Sequence, residues 1–183
     1  MLYIMRHGRT DWNDCHKLQG RTDIPLNEEG RLMAERAGKE YQDIPLDLCY
    51  SSPLIRAKET AEIVLYGRKV PILTDDRLQE MCFGKYEGQK NVFSDLSSPI
   101  NPLFTAPEKY TVSVGGAETF VELFTRTGSF LKEIINPLME KEKNVLIVGH
   151  GAMNLSIISQ IRHLPIEQFW NPGIESCKMI RLI

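Results

Sequence analysis

Short apolar runs alternate along the chain with stretches of helical periodicity. "LYIM" (residues 2–5), "LDLCYSS" (46–52) and "NVLIVGHG" (144–151) have the length of strands, and the last is the most continuously apolar. "VPILT" (70–74) predicts a short strand nearer a sheet edge, because Pro71 has no N–H to give to a ladder. "CKMIRLI" (177–183) alternates polar and apolar residues and predicts a last strand with one face more exposed.

Helices fill the intervals. Asn27, followed by Glu28 and Glu29, predicts a capped helix through about Tyr41, since acidic side chains suit the first turn and its dipole. In "SSPLIRAKETAEIVL" (51–65), Ser52 is placed to cap a helix and Pro53 to take its first position. Residues 117–142 predict a long amphipathic helix that Gly128 and Pro137 bend or interrupt, and "AMNLSIISQI" (152–161) predicts another. Strand and helix in alternation define an α/β chain with a largely parallel sheet. Residues 88–115, with Pro99, Pro102 and Pro107 and no periodicity, read as a lid-like insertion within one domain spanning 1–183, because core elements lie on both sides of them.

Composition narrows the functional classes. With 183 residues, 42 % of them hydrophobic and 25 % charged, the chain can bury a substantial core. A formal charge of -2 makes nucleic acid and anionic membrane poor partners, though a local cationic pocket is compatible with it. The apolar runs are too short to span a bilayer, and the N-terminal residues do not have the pattern of a targeting leader. Cys15, Cys49, Cys82 and Cys177 are scattered without metal-ligand spacing, which reads as reduced thiols in a cytoplasmic protein.

Three strand-to-helix junctions share a chemical property. "YIMRHG", "CYSSPLIR" and "LIVGHG" each put cationic or titratable residues just past a strand, and in a parallel sheet those ends lie along one edge. Arg6, His7, Arg56 and His150 are therefore expected to converge. Two guanidinium groups and two imidazoles suit a compact, multiply charged anion, and phosphoryl matches the guanidinium fork. With one ring nitrogen neutral, His7 is a candidate nucleophile that forms a covalent intermediate later cleaved by water. Neighbouring arginines would help to keep it unprotonated.

The chain resembles the histidine phosphatase superfamily, also called the phosphoglycerate mutase-like family. Its RHG signature stands as Arg6-His7-Gly8 within "RHGRTDWN", and "GRTDIPLNEEG" (20–30), "SSPLIRAKETA" (51–61), "LQEMCFGKYEG" (78–88) and "VGHGAMN" (148–154) follow in the family's order. The resemblance implies His7 as the phosphorylated residue, Glu80 as general acid and then base, and Arg6, Arg56 and His150 as phosphate ligands. It further implies phosphate or substrate contacts from Asn13 and from Gln19-Gly20. The implied fold is a three-layer sandwich with a mixed, mainly parallel sheet, and the implied chemistry uses no metal or other cofactor. A proton-carrying carboxyl in a closed pocket suits protonation of a leaving oxygen.

Several readings compete with this one. Glu87 rivals Glu80 on periodicity alone; Asn13 also fits a turn or cap, and Arg56 a solvated surface group. Cys15, five residues, Arg21 and Thr22 is similar to the signature of cysteine-dependent phosphatases, but the polar "GRTDWND" before Cys15 is no buried strand. His7, His150 and Glu80 have the composition of a two-histidine, one-carboxylate metal site, against which two adjacent arginines would repel a divalent cation. A non-enzymatic phosphate-ester sensor would need neither nucleophile nor acid. A mutase needs a second cationic cluster, and residues 89–114 contain only Lys90 and Lys109 as bases. Their Phe93, Leu96, Ile100, Leu103, Phe104 and Tyr110 either roof a pocket for an apolar or ring-bearing leaving group or pack onto their own core. Hydrolysis of a small phosphorylated metabolite, of the α-ribazole phosphatase or broad-specificity kind, is the favoured expectation, with oligomeric state open.

Overall fold

The computed structural model of the protein covers residues 1–183. In chain order its elements are β1 (Leu2–Arg6), α1 (Asp11–Asp14), α2 (Glu28–Glu40), β2 (Leu48–Ser51), α3 (Ile55–Val64), β3 (Ile72–Thr74), α4 (Asn101–Thr105), α5 (Phe120–Phe130), α6 (Asn136–Glu140), β4 (Val145–Gly149), α7 (Gly151–Arg162) and β5 (Met179–Arg181). The strands form one sheet in the order β3-β2-β4-β1-β5. All pairs are parallel except β1 with β5, so the sheet is mixed and mainly parallel, as expected.

Strand alternation builds the layers. Leu2 and Ile4 of β1, with Val145 and Ile147 of β4, face the larger apolar cluster, where α5 contributes Phe120 and Leu123 and α7 contributes Leu155 and Ile158. Tyr3, Met5, Leu146 and Val148 face the opposite way, onto Ala34 and Ala37 of α2 and Ala57 and Ala61 of α3. Small residues let this second pair of helices lie close to the sheet and to each other. β1 and β4 are covered on both faces, which explains the unbroken apolar character of "VLIVG".

The edges follow the sequence signals. β3 is one edge, and Pro71 contributes to its ladder only as an acceptor, from Cys49 N–H at 2.9 Å. β5 is the other edge, half-buried. Asn27 caps α2 by accepting from Gly30 N–H at 2.9 Å.

Two helix predictions need correction. α3 begins at Ile55, not Pro53, with Leu54 in the capping position. Ser52 Oγ is instead bonded to His150 Nε2 at 2.7 Å, and Ile55 N–H is capped from a distant loop by Asp23 Oδ1 at 2.8 Å. The single helix expected over 117–142 is α5, a π turn at Leu131–Ile135 and α6. Pro137 has no N–H for Glu133 and its ring crowds that carbonyl; the preceding Asn136 N–H reaches back to Leu131 O, one residue further than an α-helix allows. Gly128 does not bend the helix. It marks a close approach to α7, where an added Cβ would stand 2.6 Å from Gln160 Oε1.

Residues 88–115 are packed onto the body. Val92, Ile100, Leu103 and Tyr110 belong to the larger cluster, and Trp170 Nε1–H donates to Leu103 O at 2.8 Å. Leu96 is 80 % exposed and Phe93 50 % exposed, so core packing accounts for most of the segment's apolar residues. No helix is long and apolar enough to cross a membrane.

Candidate active site

β1 ends at Arg6, and His7 carries the pairing with β4 one step further through His7 N–H to Gly149 O at 2.9 Å. Gly8 then makes the turn against α2, where a Cβ would lie 2.5 Å from Gly30 O. Its N–H donates to Thr60 Oγ1 at 3.0 Å, and Thr60 in turn donates to Arg56 O at 2.7 Å. The turn after β1 is thereby tied to the first turn of α3. Because the strand has stopped, Arg6 and His7 both line one cavity of about 270 Å³, which adjacent residues of a regular strand would not do.

The His7 ring is buried and its Nδ1 lies 2.6 Å from Gly8 O. A carbonyl only accepts, so Nδ1 carries the proton and Nε2 keeps its lone pair. Burial, then the charges of Arg56 and Arg6, push the His7 pKa well below the ordinary value, against the opposing effect of the Gly8 bond. Arg56 is fully buried, which removes the reading as a solvated surface group. Its Nε–H points at His7 Nε2 at 3.3 Å, while Nη1 and Nη2 donate to Thr22 O at 2.9 Å and Gly20 O at 2.7 Å. Burial lowers its pKa to about 10, so it remains a cation near neutrality. Arg6 Nη1 donates to Ile174 O at 3.1 Å, and its Nε is buried without a partner.

Glu80 sits at the N-terminus of α7. Its Oε1 accepts from Met81 N–H at 2.8 Å and Met153 N–H at 2.9 Å, and its Oε2 from Ala152 N–H at 3.2 Å. It is 8 % exposed and lines the cavity beside His7 and Arg56. Glu87 does not line it. Both its oxygens hold the 20–22 turn and Phe83, through Arg21 N–H (3.0 Å), Phe83 N–H (3.0 Å), Thr22 N–H (2.9 Å) and Thr22 Oγ1 (2.6 Å). That turn supplies the two carbonyls that hold Arg56, so Glu87 acts on the site only through it.

The remaining expected residues are brought together with different degrees of freedom. Asn13 lines the cavity, but its Oδ1 is committed to Thr10 N–H at 3.0 Å and Thr10 Oγ1 at 3.1 Å, which leaves its Nδ2 donors for a ligand. Gln19 and Gly20 also line it, Gly20 at φ +55° where a side chain would collide with Glu87. His150 is fully buried with its ring centroid 5.1 Å from that of His7, yet it is not part of the cavity wall. Burial, then Arg56 and His7, push its pKa well below the ordinary value.

Sequence reasoning missed several supports. Ser52 was legible only as a cap. Arg126 of α5 donates to Arg77 O (2.6 Å), Gln79 O (2.8 Å) and Glu80 O (3.2 Å) and is gripped at both carboxylate oxygens by Glu118 (2.6 and 3.0 Å). Phe83, Trp170 and Ile174 line the cavity on its apolar side together with Phe93. No local pattern signals these contacts, because each partner is distant in sequence.

The rival constellations do not assemble. Cys15 is exposed at the end of α1, and Arg21 is directed at Glu80 O (3.3 Å) and Glu118. His7, His150 and Glu80 do not gather as three ligands around one point: Glu80 is bonded to α7 amides and His150 Nε2 to Ser52. A larger groove of about 660 Å³ between α2 and α3 has neither a histidine nor a cysteine in its wall.

A mixed, mainly parallel sheet with a buried histidine just past a strand end, beside half-buried Arg6 and fully buried Arg56, defines a phosphoglycerate mutase-like α/β protein. A model of the histidine phosphatase superfamily (branch 1) matches residues 2–183, and the chain belongs to that family. It is 35 % identical over 159 residues to the uncharacterized phosphatase PhoE of Bacillus subtilis, covering 86 % of this chain and 75 % of that one. It is 28 % identical to 2,3-bisphosphoglycerate-dependent phosphoglycerate mutase 2 of Gloeobacter violaceus, over 97 % of this chain and 82 % of that one. Among solved structures, Bacillus stearothermophilus YhfR superposes with a TM-score of 0.84 at 33 % identity, over 97 % of this chain and 88 % of that one.

Proposed function

We propose that the chain is a single-domain, metal-independent phosphomonoesterase that acts on a small phosphorylated metabolite in the cytoplasm. The observation that carries this reading is His7 itself: buried, neutral, with Nδ1–H held by Gly8 O and Nε2 presented beside Arg56 in a cavity that also holds Arg6 and Glu80. In the first step the Nε2 lone pair forms a bond to phosphorus as the ester P–O bond breaks, and a proton from Glu80 goes to the departing oxygen. Arg6 and Arg56 stabilise the charge that spreads over the phosphoryl oxygens. In the second step Glu80 takes a proton from water, whose oxygen attacks phosphorus and frees His7. Hydrolysis is favoured over mutase chemistry by the leaving-group side of the cavity, where Phe83, Phe93, Leu155 and Trp170 offer stacking and apolar contact. Four free cysteines suit a reducing compartment.

A panel of phosphomonoesters assayed on wild type, His7→Ala and Cys15→Ser tests the proposal. Loss of at least ~1000-fold in kcat for His7→Ala, the scale of removing a covalent nucleophile, with near-full activity of Cys15→Ser is expected. Full activity in His7→Ala would overturn it. Rapid interconversion of phosphoglycerate isomers with slow phosphate release would move the assignment to a mutase, and ester binding without turnover to a sensor.

A further inference from the structure

Thr60 of α3 is fully buried and does not line the cavity, yet it bonds both to the turn that follows His7 and to the backbone of Arg56. Its bond to Arg56 O, four residues back, assigns nothing by itself. Thr105, Thr125 and Thr127 donate to the carbonyl four residues before them in the same way. Thr60 differs from them in that its Oγ1 also accepts a backbone N–H from another segment, that of Gly8. Gly8 is buried and its N–H has no backbone acceptor, so Thr60 is the group that satisfies it.

Four hydrogen bonds thereby close a ring. His7 Nδ1–H donates to Gly8 O at 2.6 Å, Gly8 N–H to Thr60 Oγ1 at 3.0 Å, Thr60 Oγ1–H to Arg56 O at 2.7 Å, and Arg56 Nε–H to His7 Nε2 at 3.3 Å. The direction of every bond is determined. Arg56 O only accepts, so the single hydroxyl proton of Thr60 points at it and the hydroxyl lone pairs are left for Gly8 N–H. Gly8 O only accepts, so Nδ1 keeps its proton; Arg56 Nε only donates, so Nε2 stays bare. Bonds aligned head to tail in this way reinforce one another.

We infer that Thr60 is a positioning residue for phosphoryl transfer: its hydroxyl fixes the turn after His7 against the first turn of α3 and so aims the Nε2 lone pair alongside the Arg56 guanidinium. The effect on rate rests on the reading of His7 as nucleophile. The state of the His7 ring does not, and it is read without turnover.

Thr60→Val keeps the shape of the side chain and removes both of its bonds, whereas Thr60→Ser keeps the hydroxyl. With p-nitrophenyl phosphate, kcat of Thr60→Val should fall roughly ten- to a hundredfold, the scale of a misplaced reacting group, while KM stays within about threefold because Arg6 and Arg56 remain to bind the phosphoryl group. Thr60→Ser should keep kcat within about threefold of wild type. In 15N spectra of the free enzyme, His7 should be a fixed Nδ1–H form in wild type and Thr60→Ser and a mixture of tautomers in Thr60→Val. Thr60→Ala, which adds no bulk, gives the same comparisons if Thr60→Val does not fold. A kcat of Thr60→Val close to that of wild type, equal losses in the valine and serine variants, or an unchanged His7 tautomer overturns the role. Failure of the wild type to hydrolyse any ester would instead remove the nucleophile reading, and the 15N comparison would still decide whether Thr60 fixes the His7 ring.

Discussion

Each buried histidine of the site has one nitrogen whose state is set by its neighbour. For His7 the neighbour is Gly8 O. For His150 it is Ser52, whose hydroxyl already accepts from Leu54 N–H at 3.3 Å and has one remaining partner for its proton, His150 Nε2 at 2.7 Å. His150 is thus the Nδ1–H tautomer, and that donor is buried without a partner. Ser52→Ala removes the group that selects the tautomer; kcat/KM should fall roughly ten- to a hundredfold, the scale of leaving one buried polar group unpaired. The 15N shifts of His150 should lose the signature of a fixed Nδ1–H form, and activity within twofold of wild type would show that Ser52 has no such role. At this scale the sequence identified the groups that line strand ends, Arg6, His7, Arg56 and His150. It misassigned Ser52, because a serine before Pro-Leu has the local signature of a cap and its actual partner is 98 residues away.

Among the elements, α5 does more than fill the core. Through Arg126 it gathers three carbonyls of the 77–80 segment, those of Arg77, Gln79 and Glu80, and Glu118 fixes that guanidinium while also accepting from Cys82 N–H at 3.2 Å. The segment that carries Glu80 is held from outside by α5 and from inside by the amides of α7. Arg126→Met should therefore displace Glu80, the proposed general acid, rather than His7, the proposed nucleophile. The expected result is a kcat loss of about tenfold or more on alkyl phosphates, whose poor leaving groups need protonation, with a much smaller loss on p-nitrophenyl phosphate. Equal losses on both esters would show a global defect instead. The strands that carry the site were readable because a buried strand has a period and a length, and Asn27 announced α2 through its own side chain. The break after Phe130 was half legible: Pro137 predicted an interruption, but its form as a π turn depends on packing. The packing of residues 88–115 was legible only as one of two readings, because Ile100, Leu103 and Tyr110 follow no period and tertiary contacts alone bury them.

For the whole molecule, assembling this site means folding around two arginines that share the nearby Glu80 and around two imidazoles held neutral by burial. His7 and His150 are both buried with pKa values pushed well below the ordinary value of 6.5, whereas His16 and His163 are exposed. The unfolded chain takes up a proton at each of the two buried positions near pH 6.5, while the folded chain refuses it until a lower pH. Below about pH 6.5 the unfolded state binds more protons, so stability must fall as pH falls, by about 1.4 kcal/mol per pH unit for each histidine until the folded pKa is reached. Between pH 7.5 and 5.5 the loss for the pair is bounded at about 3 kcal/mol, the limit reached if neither folded imidazole takes up a proton in that window. The carboxylates held low by hydrogen bonds, such as Asp75 beside Arg77, lose their contribution only at more acidic pH. Urea unfolding at pH 7.5, 6.5 and 5.5 reads the slope directly, and in a folded His150→Asn variant it should be about half as steep. A flat profile across that window would mean that the two imidazoles accept protons in the native state. In that case His7 would lose its free lone pair at mildly acid pH, and the nucleophile would have to be regenerated before each turnover.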